Sequence, residues 1–327
     1  MTRFNLAASQ QHESLTIFPI IDPNGGDLPF ALMADALEQG SLTVEEVGSG
    51  SVPELAVENS GDTFVLILDG EQLIGAKQNR MTNRTILLAA HTKTRIPVSC
   101  MEHGRWQFES LKFRHQFHHS PSAVRRHARK TEATYAAMDM QAAPEALASA
   151  QGEVWDEIAD VSARMGLRSD TGAMNHLYNE RMVDLEEWSK SFPWVDDQIG
   201  ILAFLGETPL GIDVIGGYKL YASLHKRLVG GYIMDAFASR RKENVEIGKE
   251  IGDRFLEHIA AATRTDAPTL GEGTYRVLSG DVMGAELEHD SRLVHLSAFP
   301  MDEMPRRDEV SDEPLIAPPS RRRRWRH

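Results

Sequence analysis

The stretch of this chain that is richest in hydrogen-bonding side chains follows an Asp-Gly turn. Two cations and three amides lie within residues 77–83: Lys77, Gln78, Asn79, Arg80 and Asn83. Guanidinium and amide groups are fork-shaped, and they match phosphate, carboxylate or the edge of a base. The sequence therefore predicts that these five side chains bind a ligand. The alternative is a solvated strand end, which has a similar composition.

A second group of reactive side chains follows the apolar strand that ends near residue 99. Arg105 and Trp106 place a cation beside an aromatic ring, a pair that can clamp a planar or anionic ligand. A tryptophan that simply packs in the core is an equal alternative. The thiolate of Cys100 can be activated by nearby basic side chains. No companion Asn or Asp is identifiable, however, so a buried structural cysteine is the prediction.

A basic island interrupts a chain whose formal net charge is −13. Between Arg105 and Lys130 there are seven Lys or Arg residues and a single acid. Such an island is either an anion site or the charge partner of acidic groups elsewhere, and the second is commoner. His115, His118 and His119 lie in the same window. Because no cysteine or suitably spaced acid accompanies them, we predict solvated or phosphate-facing histidines rather than a metal site.

Two segments share a strand, a Gly-Glu turn and a second short strand. The first contains Asp69-Gly70, a strong hairpin signal because glycine adopts the positive φ that a tight turn needs. Residues 201–213 align without a gap with residues 65–77. The alignment matches three residues of one segment to three of the other: Gly70, Glu71 and Gly75 to Gly206, Glu207 and Gly211. We predict two related hairpins, in which Asp213 occupies the place of Lys77 and also binds ligand. The alternative is that the two segments match only because hairpins in general share this pattern.

The pattern of apolar residues predicts an α+β protein whose single domain covers residues 1–299. Short β-branched runs, bounded by Gly, Pro, Asn or Asp, make residues 15–110 strand-rich, in the form of a sheet or a sandwich. Apolar residues at helical spacing dominate the middle of the chain. The regions predicted after the strand-rich one are a helical region at 120–192, a second hairpin with further helices at 197–264, and closing strands at 274–298.

The remaining residues, 300–327, are predicted to be a disordered tail, because they are rich in acids and proline and end in an Arg-Trp cluster. That cluster is suited to RNA, an acidic partner or the protein's own acidic surface. Elsewhere in the chain the negative charge argues against nucleic-acid binding, since the neutralisation of phosphates by basic side chains supplies most of the affinity for nucleic acid. No run approaches the ~20 apolar residues that span a bilayer, so no membrane partner is expected. A single cysteine and the lack of an apolar N-terminal signal predict a cytoplasmic protein.

Two motifs resemble the ARG and Rhodanese-Phosphatase-superfamily-associated protein domain, a family without an established reaction. One motif runs from Asp69 to Arg80 as Asp-Gly-Glu-x-Leu-x-Gly-Ala-Lys-Gln-Asn-Arg, and the other runs from Ile96 to Trp106. The resemblance extends over most of residues 16–264. It departs at residues 205–207, where Leu-Gly-Glu stands in place of an Asn-Gly turn. The family is named for the ADP-ribosylglycohydrolase and rhodanese-phosphatase genes beside it, which implies partners in NAD or ADP-ribose metabolism.

The resemblance implies a site lined by residues of both motifs: Glu71, Lys77, Gln78, Asn79, Arg80, Cys100, Glu102, Arg105 and Trp106. Since no catalytic signature is present, the favoured function is a binding or accessory module for an ADP-ribose-like, NAD-like or other phosphorylated ligand. The first alternative is a hydrolase or transferase that acts on such a ligand, with Glu71 or Glu102 as general base. The second is a structural scaffold without a ligand. The sequence identifies no cofactor.

Overall fold

A computed structural model describes residues 4–47, 54–103, 113–137, 143–167, 169, 172–239 and 245–301. Strands dominate its first hundred residues, helices its middle, and strands again its end, which confirms the predicted α+β class. Of the predicted tail, residues 300–327, Pro300 is instead the last residue of a strand. Residues 302–327 lie outside the described part of the chain.

The elements follow one another along the chain in three groups. The first group contains β1 (Asn5–Leu6), β2 (Gln10–His12), β3 (Leu15–Ile21), β4 (Ala31–Leu32), α1 (Met33–Glu38), β5 (Leu42–Glu46), β6 (Glu54–Asn59), β7 (Val65–Ile67), β8 (Gln72–Gly75), β9 (Arg80–Thr82), β10 (Ile86–Leu88) and β11 (Thr92–Cys100). The second contains β12 (Phe113–His115), α2 (Ser122–Ala137), α3 (Ala143–Arg164), α4 (Met174–Glu180) and α5 (Met182–Ser189). The third contains β13 (Gln198–Leu205), β14 (Thr208–Ile215), α6 (Tyr218–Ala238), α7 (Lys249–Ala261), β15 (Thr263–Ala267), β16 (Thr274–Ser279), β17 (Val282–His289) and β18 (Arg292–Pro300).

The strands form three sheets, and the largest joins the two ends of the described chain. Its order is β1-β3-β13-β14-β18-β17-β16-β15, with β2 also paired to β3. Strand β3 therefore leaves the strand-rich region and pairs with β13, so that Leu15 lies opposite Leu205. The other two sheets have the orders β12-β8-β9-β11-β6-β5 and β10-β7-β4. The strand-rich region is thus divided among three sheets.

The prediction of a hairpin at Asp69-Gly70 is wrong, although strands flank the turn as expected. Strand β7 pairs with β10 and β4, whereas β8 pairs with β9 and β12. Gly70 has the predicted positive φ, +86°, and the N–H of Glu71 donates to the backbone oxygen of Leu68 at 3.4 Å, so the turn forms, but β7 and β8 do not pair across it. Asp69, at the centre of this turn, is buried and bonds to side chains of α2 and β18 rather than to β8. Only the second segment is a true hairpin, formed by β13 and β14.

Helix α6 is the central helix, buried on nearly all sides and packed on β13 and β14. Glycine weakens a helix interior, yet α6 is continuous from Tyr218 to Ala238 through its Gly230-Gly231 pair. A β-carbon at Gly231 would stand 2.9 Å from the backbone oxygen of Ser120, and one at Gly230 would stand 2.6 Å from the His118 ring. The two glycines therefore let the chain that leads into α2 lie directly on α6.

Candidate functional site

Two carboxylates and two guanidinium groups meet in the interior, where α2 lies against the largest sheet. Asp213 of β14 is completely buried and receives both terminal nitrogens of Arg125, at 2.9 and 2.6 Å. Such a two-pronged contact is the strongest form of this ion pair. Tyr232 of α6 also donates to Asp213, at 2.7 Å. Asp213, a predicted ligand-binding residue, therefore faces partners within its own chain.

Asp69 is the second buried carboxylate. Its Oδ2 accepts from Arg125 at 3.2 Å and from Arg129 at 2.9 Å. Its Oδ1 accepts from the hydroxyls of Ser297 and Thr85, at 3.1 and 3.2 Å. Both oxygens therefore have donors, as the burial of a charge requires.

His295 of β18 lies between these two carboxylates. Its Nδ1 is 2.7 Å from the Thr85 hydroxyl and its Nε2 is 3.4 Å from Asp213. We call the whole group the buried charge network: Asp69, Asp213, Arg125, Arg129 and His295. Its two carboxylates balance its two guanidinium groups, and it ties α2 and the turn after β7 to the largest sheet. For Arg125 and Arg129, the basic island is thus the charge partner of internal acids.

The network perturbs its own proton equilibria. Burial alone would raise the pKa of both carboxyls, but Arg125, together with the other basic groups of the network, lowers the pKa of Asp69 and of Asp213 well below their usual range. Asp235 of α6 behaves in the opposite way. Burial raises the pKa of Asp235 to about 6, even though it accepts the N–H of Ser122 at the start of α2.

The free energy of unfolding is expected to fall steeply as the pH drops below about 4, the usual pKa of an aspartate in an unfolded chain. A carboxyl whose pKa is depressed by folding stabilises the protein above its unfolded pKa, and this contribution is lost as acid protonates it. Each network carboxyl contributes up to ~1.4 kcal/mol per pH unit to the slope. Asp235 acts in the opposite sense between about pH 4 and pH 6, so the informative window lies below that range.

Urea unfolding across this acidic window measures the slope. Asp213→Asn should reduce it, because one depressed carboxyl is gone. Asp62→Asn is the matched control, since the Asp62 side chain is 95% exposed, and it should keep the full slope. Equal slopes for the native chain and Asp213→Asn would contradict the assignment.

Arg80 of β9, the cation on which the predicted anion site depended, is completely buried. Its Nη1 donates to Gln78 at 2.9 Å and to the sulfur of Cys100 at 2.6 Å. Its Nη2 lies 3.6 Å from Glu46, whose side chain is 8% exposed. Arg80 therefore has an internal carboxylate partner, as a structural arginine does.

The three amides of the same motif are buried as well. Asn79 donates to the side chain of Asn175 at 3.2 Å, and its backbone oxygen accepts from Met101. Asn83 accepts from the hydroxyl of Ser99 at 2.9 Å. The structure thus brings these amides together around β9, where they connect it to β11 and to the start of α4.

The remaining motif residues differ in exposure. Lys77 is half-buried on the connection between β8 and β9. Arg105 and Trp106 lie outside the described residues, so their convergence with Arg80 stays a prediction. Cys100 is buried, and burial raises its pKa to about 11 against the opposing effect of Arg80. A thiol with a raised pKa is mostly unionised at neutral pH, which favours the predicted structural cysteine over a nucleophile.

Glu71, a predicted general base, is buried beside a histidine. Its Oε1 is 3.0 Å from Nε2 of His115, and its Oε2 accepts the N–H of Leu68 at 2.8 Å. Burial raises the pKa of Glu71, but His115, His119 and the N–H of Leu68 together outweigh it, and the net pKa is lowered. Glu71 therefore orients His115, as a carboxylate orients the histidine of a catalytic triad. Glu102, the other predicted base, is also buried.

The three histidines of the basic island serve separate partners. His115 contacts Glu71, His118 stacks on Tyr178 at 5.3 Å, and His119 lies 2.5 Å from the backbone oxygen of Asp69. Burial lowers the pKa of both His118 and His119 to about 4. Across the described ranges, no group of three or more His, Cys, Asp or Glu side chains is arranged to hold a metal ion.

A cleft of about 700 Å³ opens between α7 and the last strands of the largest sheet. Small-molecule sites have volumes of roughly 300–1,000 Å³ and mix apolar walls with a few polar groups. The apolar side chains of this cleft are Phe4, Leu6, Leu256, Ile259, Leu293 and Leu296. Its charged side chains are Lys249, Asp253, Glu257, Arg264, Arg276, Glu286 and Glu288. The cleft therefore has the volume of a ligand site, with a more highly charged lining than most such sites have.

Strand alternation explains the charged floor of the cleft. Arg276 and Glu286 lie opposite each other on β16 and β17, on the face that α7 partly covers. Their neighbours Tyr275 and Leu287 point to the other face and join the main core. Because α7 packs over the apolar part of the first face, including Leu278, the charged part stays open.

Ion pairs hold the floor side chains in place. Arg264 donates from Nε to both oxygens of Glu286, each at 3.1 Å. Arg276 donates from Nη1 to Glu288 at 2.6 Å and from Nε to Asp266 at 3.1 Å. We call Arg264, Arg276, Glu286 and Glu288 the cleft floor. Sequence reasoning missed it, although charged residues at alternate positions of the closing strands were a visible signal of a polar sheet face.

Comparisons with known proteins identify the class. The model of the ARG and Rhodanese-Phosphatase-superfamily-associated Protein domain matches residues 3–299, so the chain belongs to this family. The family description associates the domain with other proteins, which indicates an accessory function. Neither the curated proteins nor the solved structures contain a match. Within the described helices, no segment is long and apolar enough to cross a membrane.

Proposed function

We propose that this protein is a cytoplasmic accessory module that binds an ADP-ribose-like, NAD-like or other phosphorylated small molecule. The observation that carries the proposal is the cleft between α7 and the closing strands, with its volume of about 700 Å³. Lys249 on its rim is the first residue of α7, where the helix dipole also favours negative charge. Phosphate groups of the ligand are therefore expected at this rim.

The polar motif at residues 77–83 is proposed to have a structural role in this module. Its buried amides and Arg80 have internal partners, which favours the scaffold interpretation for this part of the chain. Lys77 is not among the residues that line the cleft, and ligand contact by Lys77, Arg105 and Trp106 stays a prediction from the two family motifs.

A hydrolase or transferase is the second candidate, and one observation favours it. The Glu71–His115 pair joins a buried carboxylate to an imidazole that is 10% exposed. An imidazole oriented in this way is the group that general base catalysis most often uses. In that case His115 takes the proton, and Glu71 positions it.

Binding of ADP-ribose or NAD is expected to raise the melting temperature, and a blocked cleft should abolish the effect. A ligand at a hundred times its dissociation constant stabilises the folded state by ~2.7 kcal/mol. Ala260 lines the cleft on an exposed position of α7, so Ala260→Trp should fill it. Ala222→Trp makes the same substitution at an exposed position of α6 and should leave the shift intact.

The same samples separate the two candidates. Prolonged incubation with ADP-ribose or NAD should leave the ligand unchanged if the protein is a binding module. Turnover that disappears in His115→Ala would favour the enzyme instead. A ligand shift that survives Ala260→Trp would place binding outside the cleft and contradict the proposed site.

A further inference from the structure

We propose that the cleft floor recognises a vicinal diol, such as that of a ribose, rather than the phosphate groups of the ligand. This inference rests on the proposed function, since it names the part of the ligand that enters the same cleft. The floor side chains use some of their hydrogen-bonding groups on one another and leave others unused. The unused groups are the ones that match a diol.

Each floor arginine uses only two of its three nitrogens in the described structure. Arg264 donates from Nε to Glu286 and from Nη1 to the backbone oxygens of Ile259 and Ala262, at 3.2 and 3.1 Å. Arg276 donates from Nε and Nη1 to carboxylates. The Nη2 group of each arginine is left with no bond to a described residue. Two oriented NH₂ groups thus remain for a ligand.

The floor also retains an acceptor. Glu288 accepts from Arg276 through Oε2, while its Oε1 makes no hydrogen bond to a described residue. The side chains of Arg264, Arg276 and Glu288 are 26%, 28% and 35% exposed, so a ligand in the cleft can reach them. A hydroxyl both donates and accepts. Two adjacent hydroxyls therefore suit a floor that offers donors and an acceptor side by side.

The charge of the floor argues against phosphate as the group bound there. Its two guanidinium groups are balanced by two carboxylates, Glu286 and Glu288, so the floor has no net charge to neutralise an anion. A phosphate would also meet Glu288 as a like charge. A neutral diol avoids this repulsion, and the apolar side chains Leu256, Leu293 and Leu296 are available to the carbon face of the sugar.

Two sugars that differ by one hydroxyl test the inference on the full-length chain. Calorimetric titration compares ribose 5-phosphate with 2-deoxyribose 5-phosphate, and inorganic phosphate and ADP-ribose are titrated beside them. A site built to hydrogen-bond a hydroxyl rejects the analogue that lacks it, so ribose 5-phosphate should bind at least about tenfold more tightly. Glu288→Gln should reduce this preference severalfold.

Glu54→Gln is the matched control, because Glu54 pairs with Arg95 across exposed strands just as Glu288 pairs with Arg276. It should retain the full preference. Equal affinity for the two sugars, with ADP-ribose still bound, would contradict diol recognition but leave the proposed binding function intact. A preference unchanged in Glu288→Gln would contradict diol recognition too. Failure of ADP-ribose and every other probe to bind would overturn the proposed function itself.

Discussion

Arg125→Ala is expected to destabilise the protein by roughly 3–5 kcal/mol, the cost of leaving a buried charge without its partner. The substitution removes the two contacts to Asp213 and the one to Asp69 at once. Since whole domains are stable by only ~5–15 kcal/mol, this loss is a large share of the total. Urea unfolding near neutral pH measures it.

Two further variants show whether the loss comes from the charge. Arg95→Ala removes an exposed arginine that lies 3.5 Å from Glu54, and exposed pairs contribute only ~0–1 kcal/mol. Adding Asp213→Asn to Arg125→Ala removes one of the stranded carboxylates. The double variant should therefore lose less stability than the two single losses combined, as coupled sites do. Simple additivity would contradict a direct interaction.

Local patterns predicted the elements well, because they depend on neighbours in the sequence. A short apolar and β-branched run predicted a strand at Leu15–Ile21, and β3 has those bounds. Apolar residues at helical spacing likewise predicted α6 and α7. The pairing of β3 with β13 was beyond such patterns, since it joins residues almost two hundred positions apart. A strand's own sequence specifies its faces but not its partner.

The candidate sites show the same contrast between local sequence patterns and long-range contacts. The motif at residues 77–83 was visible because it is compact in sequence, yet its polarity does not reveal whether it faces a ligand or its own chain. The basic island led to both alternatives, and the distant acids Asp69 and Asp213 decided between them for Arg125 and Arg129. The cleft depends on how far α7 covers a sheet face, which is a property of tertiary packing.

Arg80→Ala is expected to destabilise the unliganded protein by roughly 3–5 kcal/mol, because it strands the buried Glu46 carboxylate. It also removes the donor to Gln78 and to the sulfur of Cys100. Lys77→Ala is the control from the same motif. Lys77 is half-buried in the connection between β8 and β9, so its removal should change the unfolding free energy by less than ~1 kcal/mol.

These two variants also decide what the polar motif does. A cation held ready for a ligand can be deleted at little cost to the unliganded protein, and its loss appears as weaker binding. A small effect of Arg80→Ala on stability, together with a lost thermal shift for ADP-ribose, would return Arg80 to the ligand site. A large loss of unfolding free energy in Arg80→Ala, partly restored when Glu46→Gln is added, would instead establish that Arg80 has a structural role. The anion-binding case for the two family motifs would then depend on Lys77 and Arg105 alone.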